Sequence, residues 1–554
     1  MPPEIMVMIF EFVQLQYEPD ETLDVWSRNS WSRVDRAFAI IQLSHVCRYW
    51  RNVALQYSGF WTRVEGRNIE QLFTFIARSK SRPLSLFMTT DSDHFLDVID
   101  WYGSRIERLD VTMYEEADGL EWLEEFVETT SLQCLTLNHE RIGDVFSHES
   151  EFFLLGKHTL SIKALAIVPF SGYFPSTHFP DLTHLYLSLT LPPEESGLPP
   201  AHSSSFFYLL RNAPKLEFIT LFGVERTAHD FFPKGLIDAH APVSLPNLRS
   251  FVLVSSSLTN AVMILQRLEL PETAFVHLHS LYATSAQAPA LPPVGAVKSI
   301  DRLSLATKSA RLHMVAEGLS SRLWLDGLMT RRGDPDEDDD EDDNDNDAND
   351  ERNWRDWLTG LPSFLPLVQI TRLDICVGAQ HYVISDLLPR TPGLTELGIR
   401  LDYRLERFGE DAALSHARSI YLQLSKPEPL ICPALRTLRI DVIGSNAGAV
   451  PNLHPAELRD MILIRRRVGH PIHHVVIQTF PDEDMACNAL LLDITERFDE
   501  VNPGTSCVRL CSPGLPASAL YDRAEWHRWH VDGADKFWPR DTLEGFTRGF
   551  SWIY

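Results

Sequence analysis

Three histidines fall close together at His470, His473 and His474, and Cys507 and Cys511 lie four residues apart. Imidazole and thiolate are the usual ligands of structural zinc, which takes four of them in a tetrahedron. The histidines straddle a strand-like pattern with no cysteine or acidic residue at ligand spacing. The cysteine pair has no second pair to complete a site. Surface or packing roles are expected for both groups, and no metal or other cofactor is expected. The remaining cysteines, Cys47, Cys134, Cys376, Cys432 and Cys487, make the total odd, and no CxxC occurs. That usage fits free thiols in a reducing compartment. The chain has no GxxxxGKS or GxxxxGKT, GxGxxG, GxSxG or HExxH, so it lacks the phosphate loop, the dinucleotide turn, the nucleophile elbow and the zinc-protease helix. Asp and Glu are so abundant that a pair of carboxylates carries no information. The expectation is that the chain is not an enzyme.

Recognition is the chemistry the sequence does offer. A short pattern, apolar-x-x-apolar-x-apolar, returns along the chain. It is clearest at Leu182-Leu185-Leu187, Leu216-Ile219-Leu221, Leu394-Leu397-Ile399 and Leu435-Leu438-Ile440. It is good at Ile106-Leu109-Val111, Leu132-Leu135-Leu137, Ile162-Leu165-Ile167, Leu248-Phe251-Leu253, Ile300-Leu303-Leu305 and Ile370-Leu373-Ile375. It is weaker at Leu278-Leu281-Ala283 and Ile472-Val475-Ile477, and Leu84 with Leu86 marks an opening strand. The residues beside the second apolar position would stand on the exposed strand surface. Those sites carry Arg108, His184, Tyr186, Phe218, Tyr282, Arg302, Arg372 and Arg439. Arginines and aromatics are the common anchors of recognition surfaces, so this strip is the candidate for binding a protein substrate that the sequence does not identify. The competing reading is local pairing, because Asp110 and Asp374 lie two residues from Arg108 and Arg372.

The elements that would position this strip follow from the spacing. From Ile106 to Ile300 the pattern recurs every 20 to 34 residues, around the length of a leucine-rich repeat with inserted loops. One such unit cannot bury its apolar face alone, whereas stacked units can. Helix-like stretches, Phe206 to Arg211 and Ala261 to Leu268, fall between strands. The expected fold is α/β, with an irregular leucine-rich-repeat solenoid over 66-480 and a parallel sheet on its concave face. Residues 481-554, with Trp526, Trp529, Trp538 and Trp552, are read as a C-terminal cap.

Charge narrows the partners. Formal net charge is -26, which disfavours nucleic acid, whose phosphates need basic surface, and anionic membrane. Thirteen of the acidic residues lie between Asp334 and Glu351, and this self-repelling tract, 333-351, is expected to be a disordered loop. No run of about 18 apolar residues suits a membrane span. Glu4 and Glu11 break the apolar start, so no signal peptide is read. A cytoplasmic or nuclear location is expected.

Residues 1-65 form an expected helical module. Pro2 and Pro3 precede a helix carrying Ile5, Ile9, Phe12 and Val13, and a second helix over Ala39 to Leu55 carries Leu43, Val46, Trp50 and Val53. Pro2-Pro3-Glu4-Ile5, Ile9-Phe10, then Leu43-Ser44-His45-Val46-Cys47-Arg48-Tyr49-Trp50-Arg51-Asn52-Val53-Ala54-Leu55 and Phe60-Trp61 resemble the F-box-like domain of large mushroom-type fungal families. Met1 stands where that family has Leu, Ser58 where it has Pro, and Tyr17 to Arg36 is inserted. The resemblance implies docking on the Skp-type adaptor of a Skp–cullin–F-box ubiquitin ligase. Pro2, Ile5, Ile9, Leu43, Val46, Trp50 and Trp61 match the family's motif. The repeats likewise resemble the leucine-rich bodies of F-box proteins. Alternatively, the N-terminal helices only cap a repeat scaffold unconnected with ubiquitin.

Overall fold

The computed structural model describes residues 1–16, 35–66, 68–90, 92–113, 131–139, 161–168, 177–188, 202–223, 242–283, 289–308, 311–329, 354, 357–376, 386–402, 411–443, 455–480, 506–511 and 531–538. It is a mixed α/β protein built on a large, mostly parallel sheet. The chain divides into two compact units, Met1–Ser250 with Val531–Tyr554, and Phe251–His530. The acidic tract, the insertion up to residue 34 and most of the expected cap lie outside the described residues. No helix among the described residues is long and apolar enough to cross a membrane.

The first unit opens with α1 (Pro3–Gln16). Proline in the first turn costs no hydrogen bond there. The single helix expected over Ala39 to Leu55 is instead two, α2 (Asp35–Val46) and α3 (Arg48–Gln56). Cys47 breaks the run: its backbone is extended, at φ -157 and ψ 170, and its Sγ caps α3 by accepting from Trp50 N at 3.4 Å. A turn of 3-10 helix, Ser58–Trp61, follows. It drives Phe60 and Trp61 inward.

Seven parallel strands then follow in sequence order: β1 (Arg63–Glu65), β2 (Leu84–Thr89), β3 (Ile106–Met113), β4 (Cys134–His139), β5 (Ala164–Val168), β6 (His184–Ser188) and β7 (Phe218–Phe222). The sheet thus opens one strand earlier than Leu84 suggests. Parallel neighbours need crossover connections, and helices α4 (Ile69–Ser79), α5 (Phe95–Tyr102) and α6 (His202–Arg211) lie in three of them. The register explains the repeated triplet. Leu109, Leu135, Leu165, Leu185 and Ile219 are successive partners, as are Val111, Leu137, Ile167, Leu187 and Leu221. Each row is an aliphatic ladder buried on one face. The residue leading each strand joins the same scheme: Gln133 N donates to Glu107 O at 2.8 Å, Lys163 N to Gln133 O at 2.8 Å, Thr183 N to Lys163 O at 2.9 Å and Glu217 N to Thr183 O at 2.9 Å.

The second unit holds β8 (Ser250–Ser257), α7 (Leu258–Gln266), β9 (Phe275–Ala283), β10 (Ile300–Lys308), β11 (Arg311–Gly318), β12 (Arg322–Met329), β13 (Arg372–Cys376), β14 (Glu396–Asp402), α8 (Asp411–Leu424), β15 (Thr437–Ile443), α9 (Pro455–Arg467), β16 (His474–Phe480) and β17 (Ser506–Cys511). The aliphatic ladder recurs: Leu303, Leu373, Leu397, Leu438 and Val475 are successive partners, one strand to the next. Between β9 and β10, however, the repeat order fails. The partner of β9 is β12; β11 then runs antiparallel between β12 and β10, and β10 resumes parallel pairing with β13. Two strands therefore fill what reads as an irregular gap after Ile300. Both are heavily buried, with Met314, Val315 and Ala316 consecutive in the core on β11 and Leu323, Trp324 and Leu325 on β12. A tight turn closes the hairpin, Gly318 N donating to Ser321 O at 2.9 Å.

One buried charge organises the far end of this unit. Arg465, on α9, is fully buried. Its Nη1 donates to Ile431 O at 2.9 Å and to Leu424 O, the last residue of α8, at 3.4 Å; its Nη2 donates to Cys432 O at 2.7 Å. Burial lowers the guanidinium pKa. A cation at a helix C-terminus satisfies carbonyls that have no partner within the helix.

Candidate docking surfaces

On α1, spacing decides which side chains are inside. Met6 and Phe10 are buried, and Phe10 packs edge-on against Trp50 at 5.2 Å between ring centres. Ile5, Met8, Ile9 and Phe12 fall on another face at helical intervals and are exposed, Phe12 at 62%, and Met1, just before the helix, is exposed as well. Val46, at 61%, and Tyr49 add to the exposed apolar residues of the module. The Tyr49 hydroxyl donates to Met1 O, and the Tyr57 hydroxyl donates to Glu11 Oε1 at 2.9 Å, which pins α1 on the α2–α3 pair. The sequence-based site residues therefore separate. Pro2, Ile5, Ile9 and Val46 are exposed, while Leu43 and Trp50 are half-buried. Trp61 is set apart from this surface. It is 1% exposed, donates Nε1 to Ala54 O at 2.9 Å, and meets Phe75 of α4 edge-on. Its size suits a core joint rather than a contact with another chain.

The strand face opposite the aliphatic ladder is built from two rows. One runs Arg108, Cys134, Ala164, His184, Phe218; the other runs Asp110, Thr136, Ala166, Tyr186, Thr220. Arg108 does pair with Asp110, Nε to Oδ2 at 2.7 Å. His184 stacks on Phe218 at 4.5 Å. Small residues between large ones leave a slot, and the chain's own segment 531–538 fills it. Trp538 packs with Cys134, Ala164, Ala166 and Tyr186, is 7% exposed, and turns Nε1 toward Thr136 Oγ1 at 3.5 Å. Arg108 Nη1 donates to Phe537 O at 2.8 Å, and His184 Nε2 donates to Gly533 O at 2.8 Å. Arg108, His184, Tyr186 and Phe218 are thus brought together, as the sequence suggests, but beneath a covering segment that the strand pattern gives no means of anticipating. Burial pushes the Cys134 thiol up to about 12, so it is no nucleophile.

In the second unit the same face carries an ion-pair lattice. Arg372 meets Asp374 at 3.0 Å and Glu396 at 3.7 Å; Arg439 meets Asp374, Glu396 at 3.5 Å and Asp441 at 3.3 Å. Arg439 reaches Asp374 across β14 because Gly398 stands between them in register. A Cβ at Gly398 would lie on Asp374 Oδ1. Burial works against the Arg372 charge, and Asp374 and Glu396 outweigh it to raise its pKa. Burial also raises the Asp441 carboxyl, against the pull of Arg439 and Arg400. Two of the arginines that read as target anchors are thus engaged locally. Arg302 is exposed and Tyr282 half-buried.

No family model matches the chain, and no curated protein matches it.

Alongside lies a group that the sequence reading passed over. Asp326 on β12 sits between His279 Nδ1 on β9, at 3.3 Å, and His313 Nδ1 on β11, at 3.1 Å. His277 stacks on Trp324 at 4.6 Å. These residues became neighbours only when β12 replaced β10 beside β9. Among the described residues no cluster of His, Cys, Asp and Glu is arranged to hold a metal ion. His470 Nδ1 bonds Pro433 O at 2.9 Å, while His473 and His474 are exposed. The side chains of Cys507 and Cys511 are outside the described set. Burial, reinforced by His279, holds the His277 pKa well below its ordinary value. His277 is therefore neutral in the fold, whereas in the unfolded chain it takes a proton below about pH 6.5. The unfolded state then binds more protons, so stability falls as pH drops below that value. Each unit of pH costs up to about 1.4 kcal/mol for this group. Urea unfolding at pH 7.5 and 5.5 should show a larger loss for the unsubstituted chain than for His277→Gln. Equal losses would remove His277 as the cause.

Proposed function

We propose that the chain is a substrate-recognition adaptor of a Skp–cullin–F-box type ubiquitin ligase, docking the Skp-type subunit by its N-terminal helices and a protein target by its strand faces. The observation that carries the reading is the exposed apolar face of α1, with Ile5, Met8, Ile9 and Phe12 turned outward on a helix otherwise anchored by Met6 and Phe10. An apolar patch kept out of a module's own core marks an interaction surface. It falls on the stretch that resembles an F-box-like domain. The body is read as an irregular leucine-rich-repeat solenoid, supported by the aliphatic ladders and the intervening helices. Chemistry on the target would belong to other subunits, and this chain would supply proximity and orientation. A cytoplasmic or nuclear location suits that role.

The alternative is a protein-interaction scaffold whose N-terminal helices are only a cap. It is favoured by the seating of Trp61 against Phe75 and by the pairing of β1 with β2, which tie the helices to the sheet. Capture by purified Skp-type adaptor separates the two. The intact chain should bind, and Ile9→Glu, verified as folded by circular dichroism, should bind at least about tenfold more weakly, since a charge would be buried in an apolar contact. No binding by the intact chain at several salt concentrations would leave the scaffold reading.

A further inference from the structure

We propose that the strand face of β3 to β6 is a binding site for a tryptophan-bearing protein segment, and that residues 531–538 are its resting, intrasteric occupant. This deepens the reading of the strand faces as target sites, and it stands independently of adaptor docking.

The way the segment is held resembles ligand capture more than domain packing. Of its eight residues only Val531 and Trp538 are buried; Asp532, Asp535 and Lys536 are exposed. Arg108 and His184 donate to main-chain carbonyls of the segment, Phe537 O and Gly533 O, each at 2.8 Å. Main-chain acceptors register a peptide without demanding its sequence, while a side-chain pocket supplies the selectivity. The pocket here is the indole slot. Cys134, Ala164 and Ala166 are small at adjoining register positions, and Arg108, His184 and Tyr186 flank them. A buried Trp in such a slot is the usual energetic centre of a recognition surface. Phe537 adds an edge-on contact to His184 at 4.8 Å.

The side chains flanking the slot also have orienting partners outside the segment. Arg108 is oriented by Asp110, His184 by Thr183 Oγ1 at 2.8 Å to Nδ1 and by stacking on Phe218. Those partners all belong to the strand face or the turns leading into it. A site oriented by its own residues spares an incoming ligand the cost of ordering it. Gly533, with φ +95, supplies a backbone turn that side chains rarely adopt. The occupant to be expected in trans is a protein segment presenting a Trp after a second aromatic, with a turn four to five residues earlier. Such a segment would compete with the chain's own tail, and target binding would be limited by tail release.

The test uses full-length chain and a labelled peptide of residues 531–538, Val-Asp-Gly-Ala-Asp-Lys-Phe-Trp. Fluorescence anisotropy should show the peptide binding to a full-length Phe537→Ala, Trp538→Ala variant, whose tail is weakened, at least about tenfold more tightly than to the unsubstituted chain. A peptide with alanine for its tryptophan should lose at least about tenfold on that variant. Ala166→Leu, which fills the slot, should abolish binding while leaving the circular dichroism unchanged. Equal affinity for both chains, or no affinity for a folded double variant, would overturn the proposal and make the segment a fixed cap. Unfolding of the double variant together with a chain lacking 531–554 would overturn it too, making the segment part of the core. An unsubstituted chain that sediments as a dimer, where the double variant is a monomer, would assign the slot to the tail of a second copy instead of a partner. Each of these outcomes leaves adaptor capture by α1 to be decided by its own pull-down.

Discussion

Replacing Arg465 by leucine is expected to destabilise the second unit by about 3–5 kcal/mol, the range found when one side of a buried charged interaction is removed. The guanidinium donates to Leu424 O, Ile431 O and Cys432 O. Leucine would remove the guanidinium donor from Leu424 O and Ile431 O and leave Cys432 O only the bond from Leu435 N at 3.1 Å, and each unmet acceptor costs about 1–3 kcal/mol. The charge also sits where α8 ends and where Cys432 adopts φ 48, so the loss would loosen the turn that leads to β15. Arg465→Lys should recover only part of the stability, because a single ammonium cannot span three carbonyls as a planar fork does. Urea unfolding followed by far-ultraviolet circular dichroism measures both. A leucine variant as stable as the unsubstituted chain would mean that water replaces the guanidinium and that the charge is not structural.

A tryptophan and a phenylalanine of the N-terminal helical module should behave in opposite ways. Trp61→Ala is expected to cost about 3–5 kcal/mol, as large aromatic truncations in cores do. Its ring is enclosed by Phe75 on one side and lies under Arg78 at 4.4 Å on another. Phe12→Ala, on the exposed face of α1, should change stability by no more than about 0.5 kcal/mol and yet weaken adaptor capture. Thermal unfolding and the adaptor pull-down, run on the same two variants, give four readings. If Trp61→Ala left stability unchanged, the packing argument would fail. If Phe12→Ala destabilised the module by several kcal/mol, the α1 face would belong to the fold.

Much of the sheet was legible because burial in a parallel sheet has a fixed grammar. A strand that must present alternate side chains to a core, with one more apolar residue plugging the preceding turn, writes apolar-x-x-apolar-x-apolar whatever its loops do. Each triplet named from the sequence is buried, and the second and third residues of neighbouring triplets are register partners from β3 to β7 and from β13 to β16. The same grammar hid β11 and β12. Their strands pair as a hairpin and need no residue to plug a crossover turn, and each buries a consecutive run, Met314 to Ala316 and Leu323 to Leu325, that a triplet template passes over. The break at Cys47 was hidden for a related reason. Apolar spacing continues in helical phase from Leu43 to Val53, and only the extended backbone and thiol cap of Cys47 divide it.

The candidate sites divide along the same line. The sequence by itself determined which residue types stand on the strand surface, since position within the triplet sets the face: Arg108, His184, Tyr186 and Phe218 share it. It also determined that α1 carries more apolar residues than a short module can bury. Only the tertiary structure decided which face of α1 stays outside, that Trp61 is a core joint, and that Arg439 reaches Asp374 over Gly398. Only the tertiary structure, too, brought Trp538 back onto Cys134, Ala164 and Ala166. Periodicity reports the environment along one element, whereas contacts between residues about 400 positions apart depend on where the chain returns, for which local pattern holds no record.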